Sequence, residues 1–122
     1  MKVLIIDDEE DIRSVAVLSL GVLGGVDVVE ANTGRDGITM AAKEKPDVIL
    51  LDMMMPEMDG PATLKALRAE PATSSIPVIF LTARAVRGDA DRVKQLGAKG
   101  LLTKPFEPTE LASQVRQILE TN

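Results

Sequence analysis

The 122-residue sequence predicts an α/β fold, a doubly wound five-stranded parallel sheet with helices on both faces. Five short apolar runs rich in Val, Ile and Leu recur along the chain and alternate with segments of helical length. Three of these runs are continuously apolar, which is typical of strands covered on both faces. Because the sequence contains no linker, repeat or low-complexity tract, we predict one domain over residues 1–122.

The strands follow directly from the apolar runs. Each run has about five residues, the usual length of a strand in a globular protein. Because a strand-helix-strand unit repeats along the whole chain, the crossovers are expected to be right-handed. The predicted strands are Lys2–Ile6, Val26–Ala31, Asp47–Leu51, Pro77–Leu81 and Lys99–Leu102.

The helix boundaries are indicated by capping residues. Asn32-Thr33-Gly34 follows the second strand and can cap the second helix. Pro61 and Pro108 each stand where the first residue of a helix is expected, a position at which proline is tolerated. Gly97 is placed to end the fourth helix.

Two helices have an apolar face in the sequence. The last helix has one face formed by Leu111, Val115, Ile118 and Leu119. In the first helix, regular α-helical spacing brings together Ile12, Ala16, Ser19 and Leu23. We therefore expect both faces to pack on the sheet.

The composition excludes several classes of function. The chain has 14 Lys and Arg against 19 Asp and Glu, and a net charge of −5 argues against direct nucleic-acid binding. The absence of Cys and His excludes zinc sites, thiol or Ser-His nucleophiles, haem ligation and disulfides. Carboxylates, lysines, hydroxyls and a hard metal ion remain available for chemistry.

The sequence also bears on location. The longest weakly polar stretch, Val15–Val26, is too short to span a bilayer, and no secretory signal opens the chain. We therefore expect no membrane insertion and a cytoplasmic protein.

Polar side chains follow four of the five predicted strands. Asp7 and Asp8 follow the first strand, Asp52 the third, Thr82 the fourth and Lys104 the fifth. In open α/β sheets, ligands bind outside the carboxyl ends of the strands, so these side chains are expected to meet. Three adjacent carboxylates require positive charge, which a lysine and a hard cation such as Mg²⁺ supply. A carboxylate beside both cations is suited to attack a phosphoryl group.

Taken singly, these residues also have ordinary structural interpretations. The acidic run from Asp7 to Asp11 could be the solvated first turn of a helix, and for Glu9 to Asp11 this interpretation is preferred. The methionines between Met53 and Met58 could indicate a soft metal site, but without Cys or His, packing around a loop is favoured.

Taken together, four motifs resemble those of receiver domains in the response regulators of two-component signalling, over nearly the whole chain. The resemblance implies a flavodoxin-like sheet with strand order 2-1-3-4-5. The motifs are Ile5-Ile6-Asp7-Asp8-Glu9, Leu51-Asp52-Met53-Met54-Met55-Pro56-Glu57-Met58-Asp59-Gly60, Leu81-Thr82-Ala83 and Lys104-Pro105-Phe106.

The resemblance also implies a phosphoacceptor and a metal site. Asp52 would be the phosphorylated residue and would also contact Mg²⁺. Asp8 would bind the ion directly, Asp7 mostly through water, and the backbone carbonyl of Met54 would be a further ligand.

The remaining site residues would respond to the phosphoryl group. By the resemblance, Thr82 would donate its hydroxyl to that group and Lys104 would pair with it, while the Lys104–Pro105 peptide bond would be cis. Leu101 occupies the position where the family usually has the aromatic residue that turns inward on activation. An aliphatic side chain cannot reproduce a ring rotation, so we expect signalling without one.

The resulting prediction is a response-regulator receiver. It would take a phosphoryl group from a sensor histidine kinase or a histidine phosphotransfer protein and act on a downstream effector. It would be no enzyme in the usual sense, although it would assist its own phosphorylation and dephosphorylation.

Two alternatives stay open. A Mg²⁺-dependent aspartyl-nucleophile phosphatase of the haloacid-dehalogenase type would need a second Asp where Met54 stands. A non-phosphorylated pseudo-receiver that only binds partners is disfavoured by the complete set of site residues.

Overall fold

The computed structural model describes residues 1–121, and its centre is a five-stranded sheet in the order β2-β1-β3-β4-β5. All four neighbouring pairs of strands are parallel. The predicted fold class and strand order are both confirmed. The strands are β1 Lys2–Ile6, β2 Asp27–Ala31, β3 Val48–Asp52, β4 Val78–Thr82 and β5 Gly100–Thr103.

Five helical connections follow the strands, and side-chain caps begin two of them. The Thr33 hydroxyl accepts a hydrogen bond from the backbone N–H of Asp36 at 3.0 Å, and the Asp59 carboxylate accepts one from Ala62 at 2.9 Å. The helices are α1 Glu10–Ala16, which continues as a π-helix over Val17–Leu23, α2 Gly34–Glu44, α3 Gly60–Ala69, α4 Asp89–Gln95 and α5 Leu111–Glu120.

The predicted proline positions differ from the structure by one residue at Pro61 and by three residues at Pro108. Pro61 is the second residue of α3, because Asp59 caps the helix and Gly60 begins it. Pro108 precedes α5, in a turn in which the carbonyl of Glu107 accepts hydrogen bonds from Glu110 at 2.9 Å and Leu111 at 3.1 Å. The predicted end of α4 is confirmed, since Gly97 follows it with a φ of +101°.

The predicted face of the first helix is only partly confirmed. Ala16 and Ser19 are buried, and the Ser19 hydroxyl donates to the carbonyl of Val15 at 2.7 Å. Leu23, however, is 58% exposed, and Leu20 is buried instead. The reason is the π-helix, in which hydrogen bonds join residues five apart, so each residue turns the chain less than in an α-helix.

The sheet is buried between two apolar layers. Alternate strand residues such as Val3 and Ile5 pack with α1 and α5, whereas Leu4, Ile6 and Phe80 pack with α2, α3 and α4. Every residue of β3 is buried, which explains why its sequence is continuously apolar up to Asp52. Among residues 1–121, no helix is both long and apolar enough to cross a membrane.

Strand register brings the polar strand ends to one edge. Ile6 in β1 pairs with Leu51 in β3, so the residues that follow each of them are neighbours. Asp52 pairs with Leu81, and Thr82 in β4 pairs with Thr103 in β5. The carboxyl ends of β1, β3, β4 and β5 therefore present their polar residues to one place.

Candidate functional site

Four carboxylates meet at this edge of the sheet. Each of Asp7, Asp8, Glu9 and Asp52 offers an oxygen, and these oxygens all lie within 4.8 Å of one another. Asp7 follows β1 directly and Asp52 is the last residue of β3; both are buried, whereas Asp8 and Glu9 are exposed. Such a concentration of negative charge requires cations nearby.

Lys104 provides one of these cations. Its Nζ lies 3.1 Å from Asp7 Oδ2, 3.1 Å from Glu9 Oε1 and 3.3 Å from Asp52 Oδ1. These three contacts match the three N–H groups of an ammonium. Burial alone would lower the pKa of Lys104, but the hydrogen bonds that it donates to Glu9 and Asp7, together with the charges of Asp7 and Asp52, outweigh burial and raise that pKa above its ordinary 10.5. Lys104 is therefore a permanent positive charge inside the cluster.

Asp52 has one carboxylate oxygen bound and one free. Its Oδ1 accepts hydrogen bonds from Lys104 and from the backbone N–H of Met54 at 3.3 Å. Its Oδ2 is buried and, among the described residues, has no hydrogen-bond partner. A buried polar atom without a partner is costly, so this oxygen points to a ligand such as a cation or a phosphoryl group.

Burial also changes the acidity of Asp52. Desolvation, followed by the charge of Asp7, raises the pKa of Asp52 from 3.8 to about 6. The Met54 N–H and Lys104 act in the opposite direction and only partly offset this rise. Near neutral pH, Asp52 is thus an ionised but poorly solvated carboxylate, which favours its reaction as a nucleophile.

Asp7 is held in place by the backbone around it. Its Oδ1 accepts the N–H of Glu9 at 2.9 Å, while its other oxygen contacts Lys104. Arg13 on α1 donates to the backbone carbonyl of Asp7 at 2.7 Å and fixes the start of the loop. Both carboxylate oxygens of Asp7 therefore have partners.

The loop after β3 passes very close to Gly60. The N–H of Gly60 donates to the carbonyl of Met53 at 3.0 Å. A Cβ at position 60 would lie 2.5 Å from the carbonyl oxygen of Asp52 and 2.8 Å from the Cα of Met53. Only glycine lets α3 begin this close to the residue that carries the candidate nucleophile.

Thr82 lies at the same edge, but its hydroxyl is engaged in its own loop. It donates to the carbonyl of Arg84 at 3.1 Å and accepts the Arg84 N–H at 3.4 Å. Leu101, at the expected switch position, is half-buried and packs against the core. The Lys104–Pro105 peptide bond is cis.

One member of the site, Glu9, lies outside the set of residues that the sequence predicts. The sequence favours a solvated residue at the start of a helix, yet the Glu9 carboxylate contacts Lys104. It occupies the N-cap position of α1 with extended backbone and makes no side-chain cap. Its position directly after Asp7-Asp8, at the end of β1, was the available signal. Glu10 and Asp11, by contrast, are exposed in the first turn of α1, as predicted.

Comparison with known proteins decides the family. Residues 3–116 match the response regulator receiver domain family. The chain belongs to this family. The chain has the same fold as the chemotaxis protein CheY4 of Vibrio cholerae, with a TM-score of 0.87 and 33% sequence identity. This comparison covers 96% of the chain and 97% of CheY4. A putative response regulator from Chloroflexus aurantiacus gives a TM-score of 0.86 at 32% identity, covering 98% of each chain.

Curated relatives of the receiver domain are longer proteins. The chain is 38% identical over 118 residues to the alkaline phosphatase synthesis transcriptional regulatory protein PhoP of Bacillus subtilis. The chain is also 40% identical over 121 residues to the probable transcriptional regulator ycf27 of Guillardia theta. These alignments cover 97% of this chain but 48% and 45% of the relatives, so the chain spans about half the length of the curated relatives it matches.

The raised pKa of Asp52 predicts a pH-dependent stability in the receiver domain without Mg²⁺. Since the folded pKa of about 6 exceeds 3.8, the contribution of this group is fully present below pH 3.8 and is lost as pH rises through 6. At about 1.4 kcal/mol per pKa unit, ionised Asp52 costs at most about 3 kcal/mol. Asp52→Asn should therefore raise the free energy of unfolding at pH 7 and have a smaller effect at pH 5.

Urea unfolding at several pH values, in the presence of a chelator, measures this difference. Asp11→Asn, an exposed acid on α1, is the matched control. An Asp52→Asn variant that is less stable than the wild type at pH 7 would contradict the prediction.

Proposed function

We propose that this receiver domain accepts a phosphoryl group on Asp52 from a phosphohistidine of a sensor histidine kinase or a histidine phosphotransfer protein. The observation that carries the proposal is the buried Oδ2 of Asp52, which has no hydrogen-bond partner within residues 1–121 and lies on the carboxylate that contacts Lys104. Phosphorylation would then change the Thr82 loop and the surface that a downstream effector recognises. We also propose that residues 1–122 form a single receiver domain.

The donor set fits Mg²⁺. Carboxylate oxygens of Asp7, Asp8 and Asp52 lie within 4.8 Å of one another, and hard cations prefer oxygen ligands. Asp8 would bind directly, Asp7 mostly through water, and the backbone carbonyl of Met54 would complete the protein ligands. When bound, Mg²⁺ neutralises negative charge on the transferring phosphoryl oxygens.

The transfer itself needs only one nucleophile from this chain. Asp52 Oδ2 forms a bond to phosphorus while the bond between phosphorus and the donor imidazole nitrogen breaks, and that nitrogen keeps the electron pair. Lys104 pairs with a phosphoryl oxygen. Thr82 exchanges its hydrogen bond to the Arg84 carbonyl, 3.1 Å long, for one to the phosphoryl group. Leu101 offers no aromatic ring, so the response would proceed without a ring rotation.

Neither alternative gains support from the site. A phosphatase of the haloacid-dehalogenase type needs an acid two residues beyond the nucleophile, and Met54 stands there with an 80% exposed side chain. A pseudo-receiver would not need the buried pair of Asp52 and Lys104, whose desolvation is costly. We also propose a cytoplasmic location for the domain. No nucleic-acid contact is proposed for a chain of net charge −5.

A small phosphodonor tests the proposal directly. With acetyl phosphate and Mg²⁺, intact mass spectrometry should find one added phosphoryl group, which base removes as expected for an acyl phosphate. A chelator should abolish the gain, and so should Asp52→Asn. Equal phosphorylation of Asp52→Asn and wild type would assign the acceptor to another residue, and no phosphorylation of the wild type would favour the pseudo-receiver.

A further inference from the structure

We propose that Glu9 is a positioning residue that competes with the phosphoryl group for the ammonium of Lys104. It thereby slows phosphoryl uptake and destabilises the phosphorylated domain. The proposal rests on the phosphorylation of Asp52 argued above. Its basis is the contact of 3.1 Å between Glu9 Oε1 and Lys104 Nζ. This contact matters because Asp7 and Asp52 occupy the other two N–H groups of Lys104.

All three donors of Lys104 are in use in the resting domain. Asp7, Glu9 and Asp52 each accept one contact, at 3.1, 3.1 and 3.3 Å. An ammonium has three N–H groups and no more, so Lys104 must release an acceptor before it can donate fully to a phosphoryl oxygen. Phosphoryl binding by Lys104 is therefore an exchange of partners.

Burial decides which acceptor is released. Asp7 is fully buried, so water could not replace Lys104 as the partner of its carboxylate. Asp52 carries the phosphoryl group and stays beside Lys104. The side chain of Glu9 is 59% exposed, so water can solvate its carboxylate when the contact with Lys104 breaks. Glu9 is thus the acceptor that the phosphoryl group displaces.

The negative charge of Glu9 favours the resting domain over the phosphorylated domain in two ways. In the resting domain, the Glu9 carboxylate is attracted to Lys104 and stabilises that state. In the phosphorylated domain, it stands close to a newly added dianion, because its oxygen lies within 4.8 Å of an Asp52 oxygen. Removing this charge should favour the phosphorylated domain on both counts.

The test compares phosphorylation rates at saturating Mg²⁺ with acetyl phosphate, from which acetate leaves as Asp52 gains the phosphoryl group. Glu9→Gln, which keeps the size and removes the charge, should react about threefold faster, the scale of one partly exposed charge pair. Glu10→Gln, the adjacent exposed acid, should react at the wild-type rate. Glu9→Asp is one methylene shorter, so it should lose the contact with Lys104 but keep the negative charge near Asp52, and its rate should lie between those of the wild type and Glu9→Gln.

A second measurement follows Lys104 itself. In ¹⁵N NMR spectra of the lysine ammonium groups, the signal of Lys104 should shift and exchange faster with water in Glu9→Gln but not in Glu10→Gln. A purely structural role of Glu9 would leave this signal in place.

The possible outcomes separate this inference from the proposed function. If wild type is phosphorylated and Glu9→Gln reacts at the same rate or more slowly, the inference is wrong and the proposed function stands. A tenfold loss of Mg²⁺ affinity in Glu9→Gln would also overturn it, by making Glu9 a metal ligand. If wild type takes up no phosphoryl group, the proposed function fails and this inference fails with it.

Discussion

Replacing Lys104 by methionine is expected to lower the free energy of unfolding by about 3 kcal/mol at pH 7 without Mg²⁺. The lysine side chain is 7% exposed and compensates two buried carboxylates, Asp7 and Asp52, which would face each other without a counter-charge. Methionine keeps most of the volume, so the loss reports on charge rather than packing. Chemical denaturation in the presence of a chelator measures it.

Two variants show whether charge is the cause. Lys94→Met changes an exposed lysine on α4 and should alter the free energy of unfolding by less than about 0.5 kcal/mol. Adding Asp52→Asn to Lys104→Met removes one of the repelling carboxylates and should recover a large part of the loss. If the double variant is no more stable than Lys104→Met, the destabilisation comes from lost packing and the electrostatic explanation is wrong.

Gly60→Ala is expected to destabilise the domain by about 2 kcal/mol and to slow phosphoryl uptake. Helix propensity alone favours alanine by up to about 1 kcal/mol. Against this, the new Cβ would lie 2.5 Å from the carbonyl oxygen of Asp52, and backbone cannot rotate away as a side chain can. The strand end that carries the nucleophile would have to move.

Gly100→Ala is the matched control for Gly60→Ala. Its new Cβ would also meet an atom at 2.8 Å, but that atom is the Cγ2 methyl group of Ile118, a half-buried side chain that can shift where backbone cannot. We expect a smaller loss of stability and a wild-type phosphorylation rate, measured by urea unfolding and mass spectrometry. Equal losses in the two variants would show that the carbonyl of Asp52 is not the critical contact.

The sheet and the strand-end residues were predictable because they depend on burial. The run from Val48 to Leu51 is continuously apolar since both faces of β3 are covered, and Asp52 ends it. Short apolar runs that end in charged residues predict a ligand site at the carboxyl edge of the sheet, even before any side-chain contact is known. Strand order was available only through resemblance, because the apolar pattern does not state which strands are neighbours.

The details that the sequence did not reveal depend on tertiary contacts or on local backbone geometry. Glu9 contacts Lys104 across 95 residues of sequence, so its position directly after Asp7-Asp8 was the one signal of this contact in the sequence. The partners of the Thr82 hydroxyl depend on the loop conformation around Arg84. Leu23 was misplaced because regular α-helical spacing was assumed where the chain is π-helical.

This π-helix has an evolutionary consequence. A π-helical turn holds more residues than an α-helical turn, so the segment Val17–Leu23 stores chain length without extending the helix. The next strand begins at Asp27, which pairs with Lys2. Deleting one residue there would return the segment toward an ordinary α-helix and leave the strand register intact. The stretch is therefore expected to tolerate the insertion or deletion of one residue.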